Sequence, residues 1–278
     1  MALKSLLLTP VLTLLSILAL WSLVQIAGGG SFLLWLGVFL AAVPLPGFVS
    51  LLMLRQATAR TTAELPALRW LSVAGAALAV LAYMPSGGSV WPAIAAVVSV
   101  GAFVWYEFHY SDLSRQPSGV IAMGRPLPAF ALERPDGTTV DTGSFAGRPT
   151  LFLFYRGNWC PLCMAQVKEI AAAYQRLDAA GVRVALVSPQ PHGHTAGLAE
   201  KFDVPMEFYV DPDGRAAEAL EIAAPDGVPL GLTLFGYAKD TVLPTVVATD
   251  AAGTVIFLDQ TDNYRVRPEP ETFLAIFA

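Results

Sequence analysis

The sequence predicts an all-α membrane region of about four helices followed by an α/β domain. Two observations predict this division. The first 110 positions hold only six charged residues, whereas charges are spread through the rest of the chain. From residue 128 onward, short apolar runs alternate with stretches of helical spacing, which is typical of a central sheet with helices on both faces. We therefore divide the chain into a transmembrane region at 1–110, a linker at 111–127 and an α/β domain at 128–278.

The membrane region contains two charge-free runs, residues 5–54 and 70–106. Because ~17–25 apolar residues span a bilayer, each run is long enough for two spans, and the breaks fall at the glycines 28–30 and at residues 85–89. The predicted spans are 5–27, 32–54, 66–84 and 90–108. The first apolar run exceeds the ~7–15 residues of a signal-peptide core, so we expect an anchor that is not cleaved.

The positive charges predict that the α/β domain lies in the cytoplasm of a multi-pass membrane protein. With four spans, Lys4, the loop at 55–69 and Arg115 fall on one side, and the two other loops carry no positive charge. By the positive-inside rule that side is cytoplasmic. An odd number of spans would place the domain outside, and two cysteines do not decide between an oxidising and a reducing compartment.

The α/β domain begins with a predicted hairpin at residues 129–140, around the turn Pro135-Asp136-Gly137. Apolar runs bounded by Gly, Pro and Asp turns predict the next strands, at 150–155, 182–187, 207–210, 245–248 and 254–258. Helices are predicted from the cysteines to Gly181, around 195–203, up to Leu220 and at 268–277, with an irregular insertion before residue 245.

Both cysteines lie within four positions, Cys160-Pro161-Leu162-Cys163, directly after a strand and at the start of a helix. Unpaired N–H groups and the helix dipole stabilise a thiolate there and lower a cysteine pKa from ~8.5 to ~3.5–7.5. Pro161 suits the first helical position, where a missing N–H costs little. We therefore predict a redox-active dithiol in which Cys160 is the exposed nucleophile of low pKa. Cys163, one turn into the helix on its core side, is then the resolving thiol.

Two motifs carry a resemblance to a known superfamily. The sequence Trp-Cys-Pro-Leu-Cys at 159–163 follows a hydrophobic strand, and Leu243-Pro244 begins a late strand. This arrangement resembles the thioredoxin superfamily, which implies a thioredoxin-like fold with a central mixed sheet. The resemblance also implies that Pro244 is cis and faces the cysteine pair, where the neighbouring backbone can pair with a substrate's extended chain. In the same picture Trp159 shields the disulfide.

The strings at 154–160, 188–190 and 211–214 are similar, more narrowly, to the redoxin branch related to alkyl hydroperoxide reductase C and thiol-specific antioxidant. Typical peroxiredoxins have Pro-x-x-x-Thr/Ser-x-x-Cys ending in the peroxidatic cysteine. Counted back from Cys160, Gly157 and Leu153 stand where the hydroxyl residue and the proline belong. Leu243-Pro244 also stands where those enzymes have an arginine. These departures favour dithiol–disulfide exchange over peroxide reduction.

Arg156 and the histidines leave alternatives open. Arg156, four residues before Cys160, either supplies positive charge to a thiolate or is a solvated charge beside the site. His192 and His194 could complete a zinc site with the cysteines, but this set is too sparse, and a solvent-exposed loop is the favoured interpretation. We expect neither a metal nor another cofactor. Because residues 111–278 are net acidic, we expect no nucleic-acid partner either.

The sequence therefore predicts a membrane-anchored thiol–disulfide oxidoreductase. Its expected partners are protein dithiols or disulfides, a thiol electron donor and the lipid bilayer. One alternative is a thiol peroxidase, an antioxidant enzyme that reduces alkyl or lipid hydroperoxides. A further alternative is a non-catalytic membrane subunit whose redoxin domain serves only for docking, against which the intact cysteine pair argues. The membrane region holds no cysteine, so it cannot pass electrons across the bilayer by thiol exchange.

Overall fold

The computed structural model describes residues 2–56, 58–84 and 88–277. The chain divides into two compact units. The helical unit comprises residues 6–55 and 62–112, and the α/β unit comprises the remaining residues, including 56–61 from between two helices. Residues 85–87 of the predicted break at 85–89 lie outside the described residues.

The apolar half forms the predicted helices, with one difference. Its helices are α1 (Ala2–Ala27), α2 (Phe32–Ala42), α3 (Pro44–Arg55), α4 (Pro66–Tyr83) and α5 (Trp91–Val104), the last continuing as a π-helix at Trp105–Tyr110. Among the described residues three helices are long and apolar enough to cross a membrane, or four if α2 and α3 form one bent span. This composition indicates membrane association.

The predicted span at 32–54 is bent by 48° between α2 and α3. Pro44 and Pro46 follow one another closely at the bend. A proline has no N–H to continue the helical hydrogen bonds, and its ring clashes with the carbonyl four residues earlier. The predicted length is therefore present, but the two prolines divide it into two helices.

Close packing of α2 on α4 depends on two glycines. A Cβ atom on Gly37 would lie 2.4 Å from the backbone nitrogen of Ala79, and a Cβ atom on Gly75 would lie 2.5 Å from that of Ala41. Ser72 on α4 donates to the carbonyl of Ala41 at 2.8 Å. Small residues of this kind let helix backbones approach where lipid provides no hydrophobic drive between helices.

The helical unit also holds one buried acid. Glu107 is 1% exposed and lies 3.2 Å from the guanidinium of Arg69, and its carboxylate accepts the backbone N–H of Leu65. A buried charge is costly unless it is paired and hydrogen-bonded. Glu107 therefore has a structural role, because these contacts join the π-helix to the start of α4.

The α/β unit is built on a seven-stranded mixed sheet, which confirms the predicted thioredoxin-like class. Its strands are β1 (Ala131–Glu133), β2 (Thr139–Asp141), β3 (Thr150–Phe154), β4 (Arg183–Ser188), β5 (Glu207–Val210), β8 (Thr245–Thr249) and β9 (Val255–Asp259). Their order is β2-β1-β5-β4-β3-β8-β9, with β3, β4 and β5 parallel and the other pairs antiparallel. A separate two-stranded pair, β6 (Ala223–Ala224) and β7 (Thr241–Val242), brackets the insertion.

Four helices accompany these strands: α6 (Pro161–Ala179), α7 (His192–Ala199), α8 (Arg215–Ala219) and α9 (Pro270–Ile276). Helix α6 follows the fully buried strand β3 and carries the cysteines. It ends where predicted, because Gly181 takes a φ of +75° and Val182 N–H closes back on the carbonyl of Leu177 at 3.0 Å.

Residues 113–127 are part of the α/β unit and are not the separate linker that the sequence predicts. Leu113, Ile121 and Leu127 are buried in the core of this unit. The N–H of Leu113 donates to the carbonyl of Asp262 at 2.7 Å, and that of Gly124 donates to Val255 at 2.8 Å. The polar run at 116–119 obscures these three apolar anchors in the sequence.

We expect Gly75→Ala to lower the thermal unfolding midpoint of the detergent-solubilised protein. The added Cβ meets backbone atoms that cannot move independently, and overpacking of this kind costs ~1–3 kcal/mol. Gly101→Ala is the matched control, because a Cβ there meets nothing within 4 Å and removing a helical glycine favours the helix by ~0.5–1 kcal/mol. Equal midpoints for the two variants would contradict the close-packing argument.

Candidate functional site

The site lies where β3 leads into α6. Cys160 is the N-cap of α6, and its sulfur accepts the N–H of Cys163 at 3.4 Å, while Pro161 occupies the first turn. Both cysteines are free thiols, and their Sγ atoms lie 2.7 Å apart. The fold therefore brings the two sulfurs together at a helix N-terminus.

Both thiols are buried, so the predicted exposure of Cys160 is wrong. Cys160 is 1% exposed and Cys163 is 0% exposed. The segment around β6 and β7 packs against this end of β3: the guanidinium of Arg156 donates to the carbonyl of Gly227 at 2.6 Å, and Thr241 Oγ1 donates to the carbonyl of Arg156 at 2.8 Å. Position at a helix start gives no information about this distant segment.

Arg267 makes the direct charge contact with the pair. It is 6% exposed, and its Nη2 lies 3.5 Å from the sulfur of Cys163. Its remaining donors are held by the side-chain oxygen of Gln166 at 2.8 Å and the carbonyl of Tyr264 at 3.1 Å. Arg267 lies 104 residues from Cys163 in the chain, in a short segment before the last helix with no distinguishing motif, so nothing in the sequence pointed to it.

Arg156 is a second buried cation beside the cysteines. It is 6% exposed, and its guanidinium lies 4.7 Å from the ring centroid of Trp159 and 5.9 Å from that of Tyr264. Of the two interpretations of Arg156, the solvated charge is therefore wrong, and the charge acts within the site. A guanidinium over an aromatic face keeps part of the electrostatic stabilisation that water would provide.

The two cysteines differ in pKa, although both arginines favour the thiolate form of each. Burial by itself raises the pKa of Cys163, but the hydrogen bond with Cys160 and the charges of Arg267 and Arg156 outweigh it and lower the pKa to about 5. Burial raises the pKa of Cys160 well above its usual range, and the hydrogen bond with Cys163 and its negative charge raise it further. These shifts run against the predicted low pKa of Cys160 and favour the thiolate on Cys163, which Arg267 contacts.

Trp159 approaches the backbone closely and is half-buried. Gly157 has a φ of +144°, and a Cβ atom there would lie 2.6 Å from the indole nitrogen of Trp159. Only glycine permits both this conformation and this approach. The indole N–H is buried and has no hydrogen-bond partner among the described residues, which leaves a free donor near the cysteines.

The predicted cis bond before Pro244 is wrong. Among the described residues every peptide bond is trans. A trans X–Pro bond is favoured by ~0.5–1 kcal/mol, and local contacts are satisfied in that form. The N–H of Leu243 donates to Ile222 at 2.8 Å, and the carbonyl of Pro244 accepts from the guanidinium of Arg115 at 3.0 Å. The backbone surface beside Pro244, which the resemblance implies for pairing with a substrate's extended chain, is therefore not formed as expected.

Gln166 links the cysteine helix to the neighbouring cavity. It lies one turn after Cys163 on α6 and is 1% exposed. Its side-chain nitrogen is buried without a hydrogen-bond partner among the described residues. Gln166, Arg267 and Pro244 line a small cavity of about 10 Å³, which has room for a water-sized molecule. A buried unpaired donor beside a thiolate is suited to hold an oxygen atom of a small ligand.

Residues 60 and 61 hold the segment that carries Arg267. The guanidinium of Arg60 donates to the carbonyl of Arg267 at 3.1 Å and to that of Pro268 at 3.1 Å, and it forms an ion pair with Glu169 on α6. The N–H of Thr61 donates to the carbonyl of Arg265 at 2.8 Å. The sequence indicated only a positive charge between two spans here. The structure shows that these residues also hold in place the segment that carries Arg267.

A polar network fixes the loop before the cysteines. The side-chain nitrogen of Gln190 donates to Tyr155 Oη at 3.1 Å, and its oxygen accepts the N–H of Asn158 at 2.8 Å. Tyr237 Oη contacts Asn158 and lies 3.2 Å from Nδ1 of His194. His192 pairs instead with Glu133 at 2.7 Å. The two histidines therefore point to different partners, and neither contacts the cysteines.

Comparison with known proteins identifies the relatives of this site. Residues 123–258 match the sequence model of the AhpC/TSA family. Over 105 residues the chain is 26% identical to peroxiredoxin Bcp of Bacillus subtilis, which covers 37% of this chain and 65% of that protein. The matched segment is therefore just under two thirds of the relative's length.

The fold is also found in a solved structure. The chain superposes on reduced Prx3 from Vibrio vulnificus, crystallised in complex with H2O2, with a TM-score of 0.50 and 20% identity over 57% of this chain and 99% of that chain. Peroxidoxin BcpB from Mycobacterium tuberculosis gives a TM-score of 0.47 and 18% identity over 56% and 96%. At these identities the likeness concerns the fold.

We expect Arg267→Gln to raise the pKa of Cys163 by ~1 unit or more, since a cation within this distance favours the thiolate by that amount. The pH dependence of thiolate ultraviolet absorbance in the reduced full-length protein measures it: the wild-type thiolate should appear as pH rises through about 5. Arg60→Gln should shift the midpoint in the same direction by less, because Arg60 acts through the backbone of Arg267.

Arg148→Gln is the control for these variants, because Arg148 is a partly exposed arginine of the same unit that pairs with Asp178 away from the cysteines. An unchanged midpoint in Arg267→Gln would contradict the assignment of the thiolate to Cys163. An equal shift in Arg148→Gln would show that net charge alone, and not the contact, sets the pKa.

Proposed function

We propose that this chain, in which residues 123–258 form a redoxin domain of the thioredoxin superfamily and AhpC/TSA type, is a membrane-associated thiol peroxidase. The single observation that carries the proposal is the contact of the fully buried Cys163 sulfur with the buried guanidinium of Arg267, whose charge favours a thiolate there. A thiolate is the nucleophilic form of cysteine. A buried thiolate is reached by a hydroperoxide, whether a small molecule or the end of a flexible acyl chain, more readily than by a disulfide held in a folded protein.

The chemistry follows from the placement of the two sulfurs. The Cys163 thiolate attacks the outer oxygen of a hydroperoxide, so that an S–O bond forms, the O–O bond breaks and an alkoxide leaves and takes a proton from water. Positive charge from Arg267 and Arg156 and the free N–H group of Gln166 are available to stabilise the developing oxyanion.

Cys160 then completes the oxidation. Its thiol attacks the sulfenic acid of Cys163, the S–S bond forms, the S–O bond breaks and water leaves with the thiol proton. The sulfurs start only 2.7 Å apart, so this step needs little movement. An external dithiol reduces the disulfide by exchange and restores both thiols. The peroxide is thereby reduced by two electrons that the external dithiol provides.

Dithiol–disulfide exchange with protein substrates is the second candidate. The position of Cys160 at the N-cap of α6, with Cys163 one turn inward, favours it. The trans bond at Pro244 and the burial of both sulfurs favour the peroxidase. Consumption of hydrogen peroxide with dithiothreitol as reductant tests the peroxidase, and reduction of insulin disulfides tests the exchange activity. Insulin reduction without peroxide consumption would overturn the proposal.

Substitution of each cysteine should separate the two steps. Cys163→Ser should abolish peroxide consumption, because it removes the nucleophile. Cys160→Ser should still consume one equivalent of peroxide and accumulate a sulfenic acid on Cys163, which a dimedone adduct detected by mass spectrometry reveals. If Cys160→Ser were inert and Cys163→Ser formed the adduct, the two roles would be reversed.

We also propose that the domain lies on the cytoplasmic side of the membrane. Residues 56–61, between α3 and α4, belong to the same compact unit as the domain, which supports an even number of spans between them. Lys4, Arg55 and Arg60 mark that side as the positively charged one.

A green fluorescent protein fused after residue 278 should therefore be fluorescent, and alkaline phosphatase at the same place should be inactive. A fusion truncated after Ser31 is the matched control, because it places the phosphatase in the first uncharged loop, where it should be active. Phosphatase activity at the C-terminus would show an odd number of spans and place the domain on the outer side.

A further inference from the structure

The insertion between β6 and β7 carries an exposed apolar surface. Residues 227–238 contain no charged residue and include a short 3-10 turn at Leu232–Phe235. Leu234 is 87% exposed, Phe235 is 68% exposed and Leu230 is 49% exposed. We call residues 227–238 the apolar loop. Clustered exposure of large apolar side chains usually marks an interaction surface.

The apolar loop is tied to the start of the first apolar helix. The N–H of Leu230 donates to the carbonyl of Ser5 at 3.2 Å. Ser5 belongs to the helix Leu3–Ala27, which is long and apolar enough to cross a membrane. Residues 2–5 and the loop are in the same compact unit, so the loop adjoins the first turn of this apolar helix. Lipid is therefore the partner that we expect to contact the exposed side chains of the loop.

The inner side of the same loop contacts the cysteine site. Its Gly227 accepts a hydrogen bond from Arg156, and Tyr237 contacts Asn158 in the segment before Cys160. The carbonyl of Phe235 lies 3.1 Å from Nε2 of His194. One short segment thus has the redox site on one side and exposed apolar side chains on the other.

We propose that the apolar loop inserts Leu234 and Phe235 into the bilayer surface and directs acyl-chain hydroperoxides of membrane lipids to Cys163. Insertion rests on the geometry of the loop alone. The choice of substrate class rests in addition on the proposed function. A lipid hydroperoxide carries its reactive group on an acyl chain, so a site that adjoins a lipid-embedded loop receives this substrate without extracting it into water.

Insertion is tested by photocrosslinking in nanodiscs of phosphatidylcholine and phosphatidylglycerol. The full chain carries p-benzoylphenylalanine in place of Phe235, and a matched protein carries it in place of Met123, a residue of the same unit that is 58% exposed. Lipid adducts found by mass spectrometry at 235 and not at 123 support the proposal. Crosslinks from 235 only to protein, or no adduct with lipid, overturn it.

Substrate choice is tested by the rates of the full chain in nanodiscs with hydrogen peroxide and with phosphatidylcholine hydroperoxide. In the double variant Leu234→Ser, Phe235→Ser we expect the lipid hydroperoxide rate to fall about tenfold while the hydrogen peroxide rate is unchanged, since apolar area drives interfacial insertion. Val120→Ser, Met123→Ser is the control, with two exposed apolar residues removed elsewhere on the unit.

The outcomes separate the two proposals. Equal loss of both rates, or no loss of either, overturns delivery of lipid hydroperoxides by the loop while leaving the peroxidase intact. A wild-type protein inactive towards hydrogen peroxide and lipid hydroperoxide alike overturns the proposed function and with it the choice of substrate. In that case the crosslinking result still decides whether the loop is embedded in lipid.

Discussion

The pairing of a buried thiolate with Arg267 is the constraint on which the rest of the site depends. An ionised sulfur removed from water is strongly disfavoured unless a cation and hydrogen bonds compensate it. Arg267 and Arg156 provide the charge, and they are themselves buried, so each needs its own partners. Gln166 and Tyr264 orient Arg267, and Gly227 and the ring of Trp159 orient Arg156. The local fold serves to hold two cations beside one sulfur.

This constraint extends into the segment between two apolar helices. Arg60 bridges the backbone of Arg267 and Pro268 to Glu169 on the cysteine helix, and Thr61 holds Arg265. A fragment cut at residue 111, where composition changes, would lack both supports. The apolar half is therefore more than an anchor, because one of its loops belongs to the unit that contains the redox site.

Local sequence patterns predicted those features of the structure that are determined by residues close together in the chain. The apolar runs predicted the helices, the alternation of strands and helices predicted a central sheet, and the Cys-Pro-Leu-Cys spacing located a helix start with two adjacent sulfurs. That the sheet is mixed was implied by the resemblance to the thioredoxin superfamily. Long-range contacts were not predictable. The helix N-terminus favours Cys160 as the thiolate, whereas the hydrogen bond from Cys160 and the contact with Arg267, 104 residues away in the chain, favour Cys163. Residues 113–127 looked like a linker because polar residues separate the three apolar side chains that enter the core.

The burial of the two sulfurs and the charges beside them together determine when a reductant can reach the cysteine pair in the proposed reaction. In the reduced state, attraction between the Cys163 thiolate and Arg267 holds the start of α6 against the segment before α9. Disulfide formation removes the negative charge and leaves two buried guanidinium groups without it, an arrangement that favours opening to water. In the proposed cycle, loss of the thiolate would therefore favour opening of the site at the stage when a dithiol reductant must reach Cys160.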